Sequence, residues 1–208
     1  MSTKDERKGW HLLAANKRLG YLDRREVELG VRMEMQYRSG TTGRLVKAKY
    51  PPYLCTCGMH ASDKVYQAMK YSDESLLCRV LVEEDLVVGD DKFCGRYRTV
   101  LGWVPLEEIA IQVYLELAEK KAASLKDGPA LVQCLRQMLK TRRPVPIPPK
   151  SRQSNLRVSV GRVWNAIGYS PARDLLYQAM NWEFSDGWEW VNKRIEEIAL
   201  KRMGIEED

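Results

Sequence analysis

The run Arg143-Pro144-Val145-Pro146-Ile147-Pro148-Pro149-Lys150 constrains this chain more than any other feature. Proline has no backbone N–H and disfavours the α region in the residue before it, so neither a helix nor a central strand can pass through this stretch. A boundary therefore falls there, the clearest in the chain. Well ahead of it, up to Pro105, short apolar runs alternate with glycine-bearing turns. From Pro105 on, on both sides of the prolines, apolar residues recur at steps of three and four.

In the N-terminal part, Gly9-Trp10-His11-Leu12-Leu13-Ala14 suggests a first strand, and Val31-Arg32-Met33-Glu34-Met35 a second, half-exposed one. Ser75-Leu76-Leu77-Cys78-Arg79-Val80-Leu81-Val82 and Thr99-Val100-Leu101-Gly102-Trp103-Val104 read as two more, linked through Gly89-Asp90-Asp91-Lys92. Ser62 is expected to cap a helix that ends near Tyr71, since Val65, Ala68 and Met69 follow at helical spacing. From Pro105 the period changes to that of helices. Glu107 and Glu108 suit the positive end of a helix dipole, and Ile109, Val113, Leu117 and Ala118 share a face. Gly128-Pro129 opens a second helix that presents Leu131, Cys134, Leu135 and Met138 and runs to about Arg142. Past the prolines, 158–167 and 171–182 form a helix-turn-helix-like pair, read as a hairpin packing its own core, since few polar side chains stand where base edges would be read. A last helix, Gly187–Met203, carries Trp188, Val191, Ile195 and Ile198 on one side. The expected class is α+β, a small mixed or antiparallel sheet domain followed by a helical C-terminal region. The expected division is 1–105, a helical hairpin at 106–142, a linker at 143–154, and a helical domain at 155–208.

Hydrophobic residues make up 44% of the 208 and charged ones 30%, which fits a folded globular chain, and no apolar run approaches the length of a membrane span. The charged start, Met1 to Lys8, lacks the apolar stretch of a secretory leader, so the expected location is the cytosol. Five cysteines, an odd number, fit thiols in a reducing compartment better than a disulfide framework. The formal charge of +6 is unevenly spread. No acidic residue stands between Asp127 and Asp174, an interval that holds Arg136, Lys140, Arg142, Arg143, Lys150, Arg152, Arg157, Arg162 and Arg173. Such a block suits a polyanion or an acidic protein partner, and equally a solvated linker.

The two histidines carry the chemical argument. His11 lies in the first expected strand, and His60 in Gly58-Met59-His60-Ala61-Ser62 ahead of a helix. A lone histidine among apolar residues is most often a core or edge residue with one hydrogen bond. Cys55, Cys57 and His60, with Cys78 or Cys94, offer ligand types for zinc, although the Cys-x-Cys spacing closes a chelate loop poorly and small core thiols are the simpler reading. Asp90, Asp91 and Lys92 with Arg96 and Arg98 read as a solvated turn, with phosphate or proton handling as the alternative.

Residues 9–104 resemble an uncharacterised domain family of phage and bacterial proteins. The residues that carry the likeness are Trp10-His11, Leu54-Cys55, Gly58 to Ser62, Leu77-Cys78-Arg79-Val80, Asp90-Asp91-Lys92 and Arg98 to Leu101. That resemblance implies a phage setting and no particular reaction. One role that suits it is an accessory protein that modulates a host defence or enzyme complex linked to nucleic acid, with the basic stretch as its contact surface.

His11 and the Gly58–Ser62 segment are also similar, in order and local setting, to two elements of ADP-ribosyltransferases of the His-Tyr-Glu type. That similarity implies NAD as a ligand. His11 would bond a ribose hydroxyl, His60 would stack on nicotinamide, and Ser62 would lie beside it. Trp10, Gly58 and Arg98 would line the nucleotide site. His60 stands where that family has an aromatic residue, and the available carboxylates Glu83, Glu84 and Glu107 lie in no motif. All of this chemistry requires the fold to bring two imidazoles, 49 residues apart in sequence (60 − 11), into one cleft.

Overall fold

The computed structural model describes residues 6–17, 25–34, 36–38, 45–47, 60–70, 75–124, 126, 128–141 and 187–207. The protein is α+β, with antiparallel sheets and a helical C-terminal region. Contacts divide it into two compact units, 1–105 with 196–208, and 106–195.

The first unit is built on a four-stranded antiparallel sheet. Its strands are β1 (Glu6–Leu13), β2 (Arg32–Glu34), β6 (Leu76–Glu83) and β9 (Tyr97–Pro105), in the order β1-β6-β9-β2. Two strands, β3 (Gln36–Arg38) and β4 (Leu45–Lys47), form a separate ribbon. A second small sheet has the order β5-β8-β7, from β5 (His60–Ala61), β7 (Val87–Val88) and β8 (Phe93–Cys94). The run from Leu86 to Cys94 was expected to be a plain link. It forms a two-strand hairpin closed by the Gly89 N–H donating to the Lys92 carbonyl at 2.9 Å.

Register sorts the side chains. Residues directly opposed across strands share a face, and successive residues alternate. His11 opposes Cys78, which opposes Trp103, while Trp10 opposes Arg79, which opposes Gly102. His11 and Trp10 therefore point to opposite sides of the sheet. The His11 side also carries Val80, Val82 and Val100, and it packs with Ala61, Phe93 and Cys94 of the small sheet into one apolar core. Gly9 makes that packing possible, because a Cβ there would stand 2.5 Å from Phe93 Cζ and 2.9 Å from the Ala61 Cβ. On the Trp10 side, Met203 lies against Gly102, where an added Cβ would meet it at 3.0 Å.

The helix after Ser62 is shorter than expected. It is α1 (Val65–Ala68), with Lys64 at its N-cap and the Lys64 N–H donating to Gln67 Oε1 at 3.1 Å. Ser62 is drawn away from the capping position by the sheet, as its backbone is bridged to Trp10.

In the second unit, α2 (Leu106–Ala122) and α3 (Gly128–Thr141) pack on one another and bury the expected faces, Ile109, Val113, Leu117 and Ala118 with Leu131, Leu135 and Met138. Cys134, placed on that face from the sequence, is only half-buried. Glu116 accepts from Gln112 at 3.1 Å and from Arg194 at 2.7 and 3.0 Å, and Lys120 lies 4.0 Å from the Trp190 ring centroid. The last helix, α4 (Gly187–Met203), has the bounds expected and contributes residues to both units. The expected linker at 143–154 and the pair at 158–167 and 171–182 lie outside the described residues. No described helix is long and apolar enough to cross a membrane.

The Gly9 contact makes a direct prediction. Gly9→Val should cost about 1–3 kcal/mol through overpacking against Phe93 and Ala61, measured as a lower urea midpoint at unchanged slope. A neutral result would mean that the two sheets do not close on one another at this point.

Candidate functional site

The site is assembled by one backbone exchange. The Trp10 N–H donates to the Ser62 carbonyl at 2.7 Å, and the Ser62 N–H donates back to the Trp10 carbonyl at 2.9 Å. This antiparallel bridge attaches the His60–Ser62 segment to the free edge of β1, whose other edge is taken by β6. On its far side β5 is held by β8, His60 opposing Cys94 and Ala61 opposing Phe93.

The result is that the imidazoles of His11 and His60 meet. Their centroids are 5.7 Å apart and their planes are nearly perpendicular, at 84°. His11 is 8% exposed and His60 half-buried, so His60 is the more exposed of the two.

Both rings are held neutral. Burial is the main reason that the His11 pKa lies well below the usual imidazole range; the Arg98 charge and then the His60 ring add to the effect, and a hydrogen bond to the His60 backbone works against it. His60 is lowered to about 4, first by burial, then by the charges of Arg98 and Lys92, with Asp91 opposing them. Neutral imidazole keeps one donor and one acceptor nitrogen, so it can bond a hydroxyl in either direction or lie against a ring. Burial also pushes the Cys78 thiol up to about 12, which makes it a core residue and not a nucleophile.

The other residues singled out from the sequence fall in different places. Arg98 is 1% exposed, on the His11 side of the sheet, where it acts on both rings through its charge. Ser62 is fully buried at the end of the His60 segment, and its Oγ has no hydrogen-bond partner among the described residues. Trp10 is not beside the His11 ring. Its indole is 2% exposed on the opposite side of the sheet, where strand alternation puts it, and its contribution to the site is made by its backbone. Gly58 lies outside the described residues, as do Cys55 and Cys57 of the possible zinc set. Among the described residues no three His, Cys, Asp or Glu side chains are grouped to hold a metal ion.

The carboxylates are also sorted by the fold. Glu83 and Glu84 pair with Arg32, at 3.1 and 2.7 Å, toward the end of β1 away from His11, and Glu107 belongs to the helical unit. Asp91 and Lys92, read from the sequence as a solvated turn, are the charges that reach His60. The Asp91 Oδ2 stands 3.7 Å from the Lys70 Nζ just after α1. The signal that could have found them is the hairpin, since pairing β8 with β5 carries this turn alongside the histidine.

In the basic segment, Arg136 pairs with Glu119 and Lys140 is exposed near the end of α3. Arg142, Arg143, Lys150 and Arg152 lie outside the described residues. No family model, no curated protein and no solved structure matches this chain.

The depressed His60 pKa has a consequence for stability. Unfolded, the ring takes a proton near pH 6.5. Folded, it does so only near 4, so the unfolded state binds more protons between these values. Stability is therefore full above pH 6.5, falls as the pH drops through that window by about 3 kcal/mol, and levels off below it. His11 adds to the loss with the same sign. Urea denaturation from pH 7 to 4 should show this slope, and His60→Gln should reduce it to the share that His11 contributes.

Proposed function

We propose that the sheet unit binds a nucleotide of the NAD or ADP-ribose class at the His11–His60 pair. One observation carries the reading: two imidazoles distant in sequence meet at 5.7 Å, at right angles, with the more exposed ring outermost. In this reading His11 bonds a ribose hydroxyl and His60 lies against the nicotinamide. A cationic imidazole would repel the positive pyridinium of NAD, and the neutral state of His60 removes that repulsion. The charges of Lys92 and Arg98 favour the pyrophosphate over the pyridinium. The similarity to ADP-ribosyltransferases in the order of these two elements points the same way. No transfer step is assigned, because Glu83 and Glu84 are engaged with Arg32 and Glu107 belongs to the other unit.

Titration of NAD and ADP-ribose by calorimetry tests this. Wild type should bind at least one of them, and His11→Ala should weaken binding tenfold or more, about 1.4 kcal/mol. A folded wild type that binds neither ligand ends the proposal.

A second reading rests on the basic segment, which has no acidic residue between Asp127 and Asp174 and presents an exposed Lys140. It is that of an accessory protein in a phage setting, contacting nucleic acid or a host protein complex through that segment. If nucleic acid is the partner, affinity for DNA or RNA should fall steeply with added salt, because bound phosphates release counterions. Absent or salt-independent binding would leave a protein partner.

A further inference from the structure

Trp10 is the node on which both histidines depend, and on the far side of the sheet its side chain is covered by Arg79, which the C-terminal segment engages. The indole is buried, and the Arg79 guanidinium lies over it at 4.9 Å from the ring centroid. Arg79 opposes Trp10 in the β1–β6 register, so the stack is a direct cross-strand pair. Arg79 is itself nearly buried, and its Nε and Nη2 both stand 2.5 Å from Glu207 Oε1. Residues 204–207 are aimed there by a left-handed turn. Gly204 has φ +68°, and the Ile205 N–H donates back to the Leu200 carbonyl at 3.0 Å, which ends α4 in a glycine C-cap and turns the chain. Met203 seats that end of the helix on Gly102. Residues 196–208 belong to the same compact unit as the sheet, although some 90 residues separate them from it in sequence.

We infer that Arg79 and Glu207 are positioning residues for the imidazole pair, acting through Trp10. The indole fixes β1 at residue 10, the backbone of residue 10 holds Ser62, and His11 and His60 are the residues next along and two before it. A nearly buried guanidinium that loses its carboxylate is left with an uncompensated charge, so loss of Glu207 should loosen the stack and not merely remove a surface contact. The functional meaning of this clasp rests on the nucleotide reading, but its existence does not.

The protein has only two histidines, so their Hε1 protons give just two NMR signals to follow. In wild type both should titrate below the ordinary imidazole range. In Glu207→Gln, with far-UV circular dichroism retained, opening of the Trp10 node should wet the rings, move both midpoints upward and shift the tryptophan emission. Glu206→Gln, a change at the neighbouring carboxylate, should leave both midpoints in place. Glu207→Asp, which keeps the charge, should restore part of the wild-type behaviour and serves as the variant if the glutamine form does not fold. A folded Glu207→Gln protein that melts earlier but keeps its histidine midpoints would overturn the inference, reducing the clasp to a stabilising contact. This readout needs no ligand, so its failure is separable from a failure of nucleotide binding.

Discussion

Two backbone hydrogen bonds between Trp10 and Ser62 determine the character of this protein. Each is worth little as net stability, about 1 kcal/mol, because water would otherwise satisfy the same groups. Their effect is geometric. They convert the free edge of β1 into a seam between two sheets, and they do so one residue from His11 and two residues from His60. With β8 closing on β5 from the other side, the short segment around His60 has no lateral freedom. The apolar core of Ala61, Phe93, Cys94, Val80 and Val82 then supplies the burial that this seam alone could not.

The electrostatic state of the site follows from that packing. An imidazole beside a buried guanidinium, out of water, does not hold a proton at neutral pH. Arg98 depresses both rings and is built into the His11 side of the sheet. The arrangement sacrifices acid stability in exchange for a pair of neutral rings, each with one donor and one acceptor nitrogen. Such a cost at one point of a small domain is what a binding site, more than a core, tends to carry.

Much of the framework was legible in the residues. The strands around His11, Leu77 and Val100 announced themselves by apolar runs bounded by turns, and the helices after Pro105 by their period. The helix of 17 residues at Gly187–Met203 was readable to its ends. The site was legible only as two unusual histidines. What the residues could not convey was which edge of β1 would be occupied, because a two-residue strand such as β5 or β8 has no periodicity to read. For the same reason Ser62 looked like a helix cap, and Asp91 and Lys92 looked like a solvated turn. Trp10 was expected to line the same nucleotide site as His11, whereas the alternation of a strand sends neighbours to opposite sides. The return of residues 196–208 to the sheet is a contact across most of the chain, and local patterns carry no trace of it.

The account turns on the two imidazoles being neighbours in solution. A two-dimensional nuclear Overhauser spectrum of the folded protein at neutral pH tests this most directly, since the histidine ring protons are few and resolvable. The account expects cross-peaks linking the His11 ring to the His60 ring, and none linking the His11 ring to the Trp10 indole across the sheet. Histidine rings with no mutual cross-peak, each titrating as a solvent-exposed imidazole does, would contradict it.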